Sequence, residues 1–443
     1  MTRFANDDDI NAAPRLTHLG HLYLLHIPKT AGTSLRQWLE GLYNVEDCCP
    51  LYHPCELPDD PKQYLTKYKF FAGHHQWRFV ERWGSKLGLT TITFLRDPIQ
   101  RTRSEFQYLR GFNQDECHKY RDRTWVSGWV LDQLAYASDS EIAQDVQYIR
   151  EVGNRQTRDL GITQSPPRPD GNRCEDPPIP ISQAQLRVAF QNLRSCAAFG
   201  IVEDMERSML LIADALGLPA LGTPLHLNRS KKEGDIQKDG YEDAFSASNS
   251  LDLQLYHEGK DLFELQWEAL VDRYQKTGEQ SDFGSLCKAM TERFRHTDRK
   301  VPLLTRFVAD ASHGIISRGW THRFFYYPIQ RWLKWSESKR PVFWLPIDRT
   351  NDCSLFIRIA FTSDETVPKT LGVEVDGCRT AFILKYTMWP GSTVYHIVLE
   401  VTLPRLEPSP QYTEIACTLP SGGAIALCEL ELESSERPAY SVT

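Results

Sequence analysis

The sequence predicts an α/β fold, a parallel sheet flanked by helices, followed by a C-terminal antiparallel β-sandwich domain. Three observations carry this. Strand-like apolar runs alternate with helix-like segments over residues 20–110, the pattern of βαβ units. The first run, His21–Ile27, passes through a short loop directly into a helical segment, Leu35–Leu39. After residue 300 the pattern changes to period-two alternation broken by Gly, Pro and Asp turns, as antiparallel strands require.

The loop of the first unit reads Pro28-Lys29-Thr30-Ala31-Gly32-Thr33-Ser34. A strand, a loop and a helix in this order make an anion site. The loop and first helical turn carry N–H groups without intrahelical partners, and the helix dipole favours negative charge there. Lys29 adds a full positive charge, and Thr33 or Ser34 can cap the helix or donate to a ligand oxygen. The loop is not a Walker A sequence, because its lysine precedes its glycine.

A second strand, Thr91–Leu95, ends at Arg96, and Pro98 suits the first turn of the helix that follows. Arg96 thus stands at a strand end, where an open α/β sheet collects its ligands. Ser104 lies on that helix, eight residues after Arg96. A further buried strand is read at Cys196–Val202, an amphipathic helix at Asp204–Leu216 ending near Gly217, and a long helix over 251–276 with apolar Leu251, Leu255, Leu262, Leu265 and Leu270. Residues 164–180 hold six prolines and are read as a surface insertion.

In the last third, Leu355, Ile357, Ile359 and Phe361 alternate with other residues, as do Leu371, Val373 and Val375 before an Asp376-Gly377 hairpin signal. Tyr395 to Leu403 and Cys428 to Leu432 alternate again. An aromatic-rich stretch from Trp320 to Trp344 leads into this region and reads either as core or interdomain packing or as a surface for stacking on sugars. The expected organisation is an N-terminal extension over 1–19, an α/β domain over 20–300 and a β-sandwich over 310–443.

The loop Pro28–Ser34 resembles the 5′-phosphosulfate loop of sulfotransferases, which use 3′-phosphoadenosine 5′-phosphosulfate (PAPS). The Arg96-to-Ser104 spacing resembles their element for the cofactor's 3′-phosphate. Phe71–Trp77, Asn154–Arg158, Ala198–Met205, Leu227–Ser230 and Leu255–Phe263 extend the likeness. Together these segments resemble the Golgi heparan sulfate 6-O-sulfotransferases and their bacterial relatives in the wider carbohydrate sulfotransferase group, over roughly residues 20–275. The resemblance implies a P-loop-like sulfotransferase fold, PAPS as donor, no metal, and a glycan-type hydroxyl as acceptor. It implies donor contacts from Lys29, Thr30, Ala31, Gly32, Thr33, Ser34, Arg96 and Ser104, with Asn228, Arg229 and Ser230 closing over the adenosine. It makes His74 the general base, with neighbouring His75 the alternative. Asn154, Arg155 and Arg158 either line the cleft or form a capped helix with surface charge. His26, at the end of the first strand, packs or shapes the loop.

A histidine suits the proton-accepting role because its reference pKa is near 6.5. Sulfuryl transfer needs in-line positioning and neutralisation of the leaving oxygen, a task for Lys29 and the loop N–H groups. The rival readings are a P-loop kinase, which wants a Walker lysine-serine pair for Mg²⁺, and a catalytically silent glycan-binding scaffold.

The 443 residues, 41% of them hydrophobic, can fill more than one core. A net charge of −7 argues against a general nucleic-acid binder. No apolar run long enough to span a bilayer is present, and the acidic N-terminus lacks a signal-peptide core. Eleven scattered cysteines fit reduced thiols and a cytoplasmic, bacterial enzyme. Cys48, Cys49, His53 and Cys55 cluster locally, but adjacent cysteines without a second paired half read as turn residues beside a core and not as a zinc site.

Overall fold

The computed structural model describes residues 17–51, 62–110, 153–162, 181–222, 242–274, 282–296, 302–327, 330–388 and 395–434. The insertion 164–180, the segment Asn228–Ser230, His53 and Cys55 therefore lie outside the described residues.

Four strands form the first sheet: β1 (Leu22–Leu25), β2 (Phe70–Gly73), β3 (Thr90–Leu95) and β4 (Ala198–Ile201). Their order is β2-β1-β3-β4, and all neighbours pair in parallel. Every residue of β1, β2 and β4 is buried, as strands covered on both faces by helices require. That explains why β1 reads as an unbroken apolar run. The helices are α1 (Gly32–Glu40), α2 (Lys62–Leu65), α3 (Gln76–Leu87), α4 (Pro98–Arg110), α5 (Arg155–Gly161), α6 (Gln183–Ser195), α7 (Met205–Leu216), α8 (Glu242–Ser248), α9 (Ser250–Tyr274) and α10 (Phe283–Arg295).

Local chemistry sets several boundaries. Ser182 and Gln185 form a capping box at the start of α6. Gly217 ends α7 in the left-handed conformation, φ 64°, where the sequence places a helix stop. The buried face of α9 includes Leu251, Leu255, Phe263 and Leu270. Leu265, read as an apolar-face position, is instead 62% exposed, because in a 25-residue helix it falls on the opposite side from Phe263. The strand read at Cys196–Val202 is confined to β4, since Val202–Asp204 turns into a 3₁₀ segment before α7.

The C-terminal strands are β5 (Phe307–Asp310), β6 (Ile316–Arg318), β7 (Phe324–Tyr326), β8 (Arg331–Trp335), β9 (Val342–Leu345), β10 (Cys353–Thr362), β11 (Gly372–Val375), β12 (Cys378–Thr380), β13 (Phe382–Met388), β14 (Tyr395–Leu403), β15 (Thr413–Thr418) and β16 (Ile425–Ser434), with a short helix α11 (Val367–Thr370). They pair antiparallel in two sheets, β13-β14-β10-β16-β8-β7 with β5 on β16, and β12-β11-β15-β9-β6. Inward residues of both sheets, among them Leu355, Ile357, Val373, Leu399, Ile415 and Leu430, share one buried cluster. Asp376 and Gly377 form the predicted hairpin between β11 and β12, with φ of 51° and 78°, the doubly positive turn that favours this dipeptide.

A larger cluster joins the parallel sheet and its helices to residues of β6, β9 and β15, including Ile316, Trp344 and Ala416. Phe294 of α10 stacks on Tyr412 at 4.4 Å and meets Trp344 edge-on at 6.3 Å. Hydrogen bonds cross the same boundary: Arg323 donates to the Tyr43 carbonyl at 2.6 Å, and the Gly314 N–H to Asn44 Oδ1 at 2.9 Å. Among the described residues, no helix is long and apolar enough to cross a membrane, and no cysteine is in a disulfide.

Candidate functional site

The strand order makes a crevice. From β1 the chain crosses to β2 on one side, then back to β3 on the other, so the switch point lies between β1 and β3. Ligands of open parallel sheets bind outside the strand ends at such a point. The segments leaving β1, β2 and β3 here carry Lys29, His74 and Arg96.

The β1–α1 loop is tightly wound. Lys29 and Ala31 both adopt positive φ, 66° and 62°. Thr30 is buried, and its hydroxyl donates to the Ile27 carbonyl at 2.8 Å, so its proton is spent inside the loop. A Cβ on Gly32 would sit 1.7 Å from the His26 ring, so only glycine lets the first turn of α1 rest on His26. His26 thus shapes the loop from beneath, as its position at the strand end implied. Sequence reasoning gave the cap of α1 to Thr33 or Ser34. The cap residue is instead Ala31, which has no side-chain acceptor, because the left-handed turn at Ala31 starts the helix earlier. The start of α1 is therefore left without a side-chain cap.

Two neighbours clasp this loop. His74 Nδ1 lies 2.7 Å from the His26 carbonyl oxygen, and the two rings meet tilted by 33° with centroids 4.6 Å apart. Arg96 donates from a guanidinium nitrogen to the Lys29 carbonyl at 3.1 Å. Lys29 Nζ lies 4.0 Å from the Tyr108 ring centroid on α4, a cation–π arrangement that sequence reasoning missed. Burial lowers the Lys29 pKa, with nearby Arg96 and Arg101 acting in the same direction and Glu105 opposing. Burial also lowers that of Arg96, partly offset by Glu203. Ser104 is half-buried on α4.

His75 goes elsewhere. It is 4% exposed and stacks on Phe79 at 5.2 Å, inside the layer between α3 and the sheet.

The short helix α5 is buried along its whole length. Arg155 and Arg158, read as cleft lining or surface charge, are 5% and 8% exposed, so the surface alternative is corrected. Arg155 bonds Asp159 at 3.0 Å, and burial pulls the Arg158 pKa down to about 10. Asn154 is a cap, as the other half of that alternative held, but for a distant helix: its Oδ1 accepts from the N–H groups of Leu251 and Asp252 at the start of α9. In return, Asp252 accepts from the N–H groups of Gln156 and Thr157 at 3.0 and 2.7 Å, capping α5. Gln156 then brackets Arg96, accepting from its N–H and donating to its carbonyl, both at 2.9 Å. Glu203 accepts from the Asp97 N–H at 3.0 Å and from the Tyr256 hydroxyl at 3.0 Å. Gln156, Asp252 and Glu203 fix the peptide around Arg96. Gln156 and Glu203 fall in Asn154–Arg158 and Ala198–Met205, two segments that carry the resemblance; for Asp252 no local signal existed.

No group of metal-ligating side chains occurs among the described residues. Cys48 Sγ donates to the Asn44 carbonyl at 3.4 Å and lies 3.4 Å from an Arg323 guanidinium nitrogen.

No family model matches the chain. It is related in sequence to heparan-sulfate 6-O-sulfotransferases. It is 26% identical over 299 residues to zebrafish (Danio rerio) heparan-sulfate 6-O-sulfotransferase 1-B, covering 58% of this chain and 69% of that one. It is 23% identical over 294 residues to the zebrafish 3-B protein, covering 57% and 64%. It is 27% identical over 295 residues to human heparan-sulfate 6-O-sulfotransferase 1, covering 56% and 66%. The chain thus spans about two thirds of the length of these relatives. Among solved structures, mouse sulfotransferase SULT7A1 complexed with PAP covers 67% of this chain and 82% of that one, at 10% identity and a TM-score of 0.26, too slight a likeness to bear on the fold.

Proposed function

We propose that this relative of the heparan-sulfate 6-O-sulfotransferases is itself a sulfotransferase, with PAPS as donor and a glycan hydroxyl as acceptor. The observation that carries the reading is the clasped loop: His74 and Arg96 both bond the backbone of the Lys29 loop, from opposite sides. That convergence supports one site built from three strand ends, and the sequence relatives supply the reaction class.

The residues suit an anionic nucleotide donor. The start of α1 lacks a side-chain cap, Gly32 lets its first turn rest on His26, and two partly desolvated cations stand beside it. Cations in such a setting act strongly on an incoming anion because little water screens them. PAPS, when bound, supplies the sulfuryl group. Lys29 and the first-turn N–H groups neutralise charge at the leaving oxygen, with Thr30, Ala31, Thr33 and Ser34 shaping the loop around it. Arg96 and Ser104 hold the 3′-phosphate, and Asn228, Arg229 and Ser230 cover the adenosine. His74 takes the acceptor proton at Nε2: its Nδ1 donates to the His26 carbonyl, which leaves the other nitrogen as the acceptor in the neutral ring. The two C-terminal sheets we read as a β-sandwich that orients the acceptor. The free cysteines fit a cytoplasmic setting.

The test is calorimetric titration of the full chain with 3′-phosphoadenosine 5′-phosphate and, separately, ATP with Mg²⁺, followed by labelled sulfate transfer from PAPS to a panel of glycans. Binding of the first nucleotide and sulfation of a glycan are the expected results. Preference for ATP with Mg²⁺ overturns the donor, and transfer only to non-glycan hydroxyls overturns the acceptor.

A further inference from the structure

A second cavity, of about 220 Å³, lies on the far side of α1 from the sheet, where that helix meets the C-terminal strands. Its walls come from Gln37, Trp38 and Gly41 of α1 and its C-cap, and from Arg318, Trp320 and Lys334 of the C-terminal region. Lys334, on β8, is 3% exposed. Among the described residues no carboxylate pairs with its amine and no acceptor takes a hydrogen bond from it. The charged group acting on it is Arg323, also a cation. A buried amine with no counter-ion is costly unless something supplies one.

Two further features bear on what that something is. A Cβ at Gly41 would lie 3.5 Å from Lys334 Nζ, so the amine rests against the C-terminal turn of α1, the helix end that favours positive charge. The oxygen of the Gln37 side chain is buried without a partner on the same wall, ready to accept from a hydroxyl or amide. Trp38 and Trp320 add ring faces of the kind that pack against small cyclic ligands.

We propose that this cavity is a second binding site, for a ring-sized organic carboxylate whose anionic group pairs with Lys334 and whose hydroxyl meets Gln37. The site shares Ser34 with the donor loop but does not depend on what the strand-end crevice transfers.

Burial brings the Lys334 pKa down to about 7, so above neutrality the empty site holds a neutral amine. An arriving carboxylate favours the charged form, so binding takes up a proton and weakens as the pH rises past that value. The other ionisable groups around the cavity are Arg318, His322, Arg323 and Glu337. Burial lowers the Arg318 pKa and raises that of Glu337. His322 is exposed.

The experiment is calorimetric titration of the full chain with glucuronate and with glucose at pH 8 and matched ionic strength, in two buffers of different ionisation enthalpy. Glucuronate should bind at least tenfold tighter than glucose, with net proton uptake. Lys334→Met, an apolar replacement for a buried group, should weaken glucuronate at least tenfold and leave the affinity for 3′-phosphoadenosine 5′-phosphate within twofold. Equal binding of the two sugars, or glucuronate binding without proton uptake, overturns the proposal in the wild-type protein alone, whatever the variant's folding. Undiminished glucuronate affinity in Lys334→Met overturns it as well and moves the binding to another site.

Discussion

His74 and His75 are neighbours with opposite fates, and one contact each decides them. His74 Nδ1 faces a carbonyl oxygen at 2.7 Å, and a carbonyl can only accept, so in the neutral ring the proton sits on Nδ1 and Nε2 is the acceptor nitrogen. His75 packs on Phe79 in the interior. His74→Ala should lower turnover by about 10²–10⁴-fold, the usual share of a general base, with donor affinity nearly intact. His75→Ala should lower the melting temperature and leave the turnover of the folded fraction unchanged. Single-turnover assays beside thermal melts separate the two, and a crippled His75→Ala beside a fully active His74→Ala would reverse the assignment. Arg96 permits a sharper test. Charged hydrogen bonds contribute about 1.5–3 kcal/mol each, so Arg96→Ala should weaken 3′-phosphoadenosine 5′-phosphate far more than adenosine 5′-phosphosulfate, which lacks the 3′-phosphate. Equal losses in a titration of both would remove Arg96 from the 3′-phosphate.

At the scale of elements, what the sequence discloses is what is local. The strand-loop-helix at Leu22–Glu40 announces itself through an apolar run, a lysine and a glycine within a few residues of one another, and the Asp376-Gly377 hairpin through its dipeptide. The pairing of α5 with α9 does not, because Asn154 and Asp252 cap each other's helices across nearly a hundred residues of chain. Neither residue carries a local mark of its partner. The same distance hides the grip of Gln156 on Arg96, and it turned two buried arginines into candidate surface charges. This linkage makes a prediction. Asp252→Ala leaves two buried N–H groups at the start of α5 without acceptors, at a cost of about 1–3 kcal/mol in folding stability. Because α5 carries Gln156, it should also weaken binding of 3′-phosphoadenosine 5′-phosphate, although Asp252 lies outside the crevice. Denaturant melts paired with titrations check both halves. A destabilised variant with unchanged nucleotide affinity would show that Arg96 is held without α5.

Over the whole molecule, period-two patterning discloses strands with a core of their own, and the cluster uniting Leu355, Val373 and Leu430 is that core. It does not disclose that Trp344 and Tyr412 belong to the other one. Both lie in the apolar cluster that runs through the parallel sheet and its helices, and alternation says only which face of a strand is buried, not what buries it. Tyr412 is fully buried, stacks on Phe294 at 4.4 Å and stands with its hydroxyl 3.1 Å from His18 Nδ1, so it touches the start of the described chain, α10 and the C-terminal sheets at once. Removing a buried aromatic costs about 3–5 kcal/mol. If the shared cluster couples the two regions, that loss is felt by both. The full chain should then unfold in one calorimetric transition, and Tyr412→Ala should move the whole of it downward while preserving a single peak. A chain with weakly coupled regions would behave otherwise, giving two peaks of which the substitution lowers one. A fragment ending at residue 300 offers the complementary measurement, since it keeps Phe294 but strips away Trp344 and Tyr412. It should melt below the parent and still be stabilised by 3′-phosphoadenosine 5′-phosphate, because the proposed donor residues all precede residue 300. A fragment as stable as the parent would instead mean that the C-terminal sheets rest on the α/β region without supporting it.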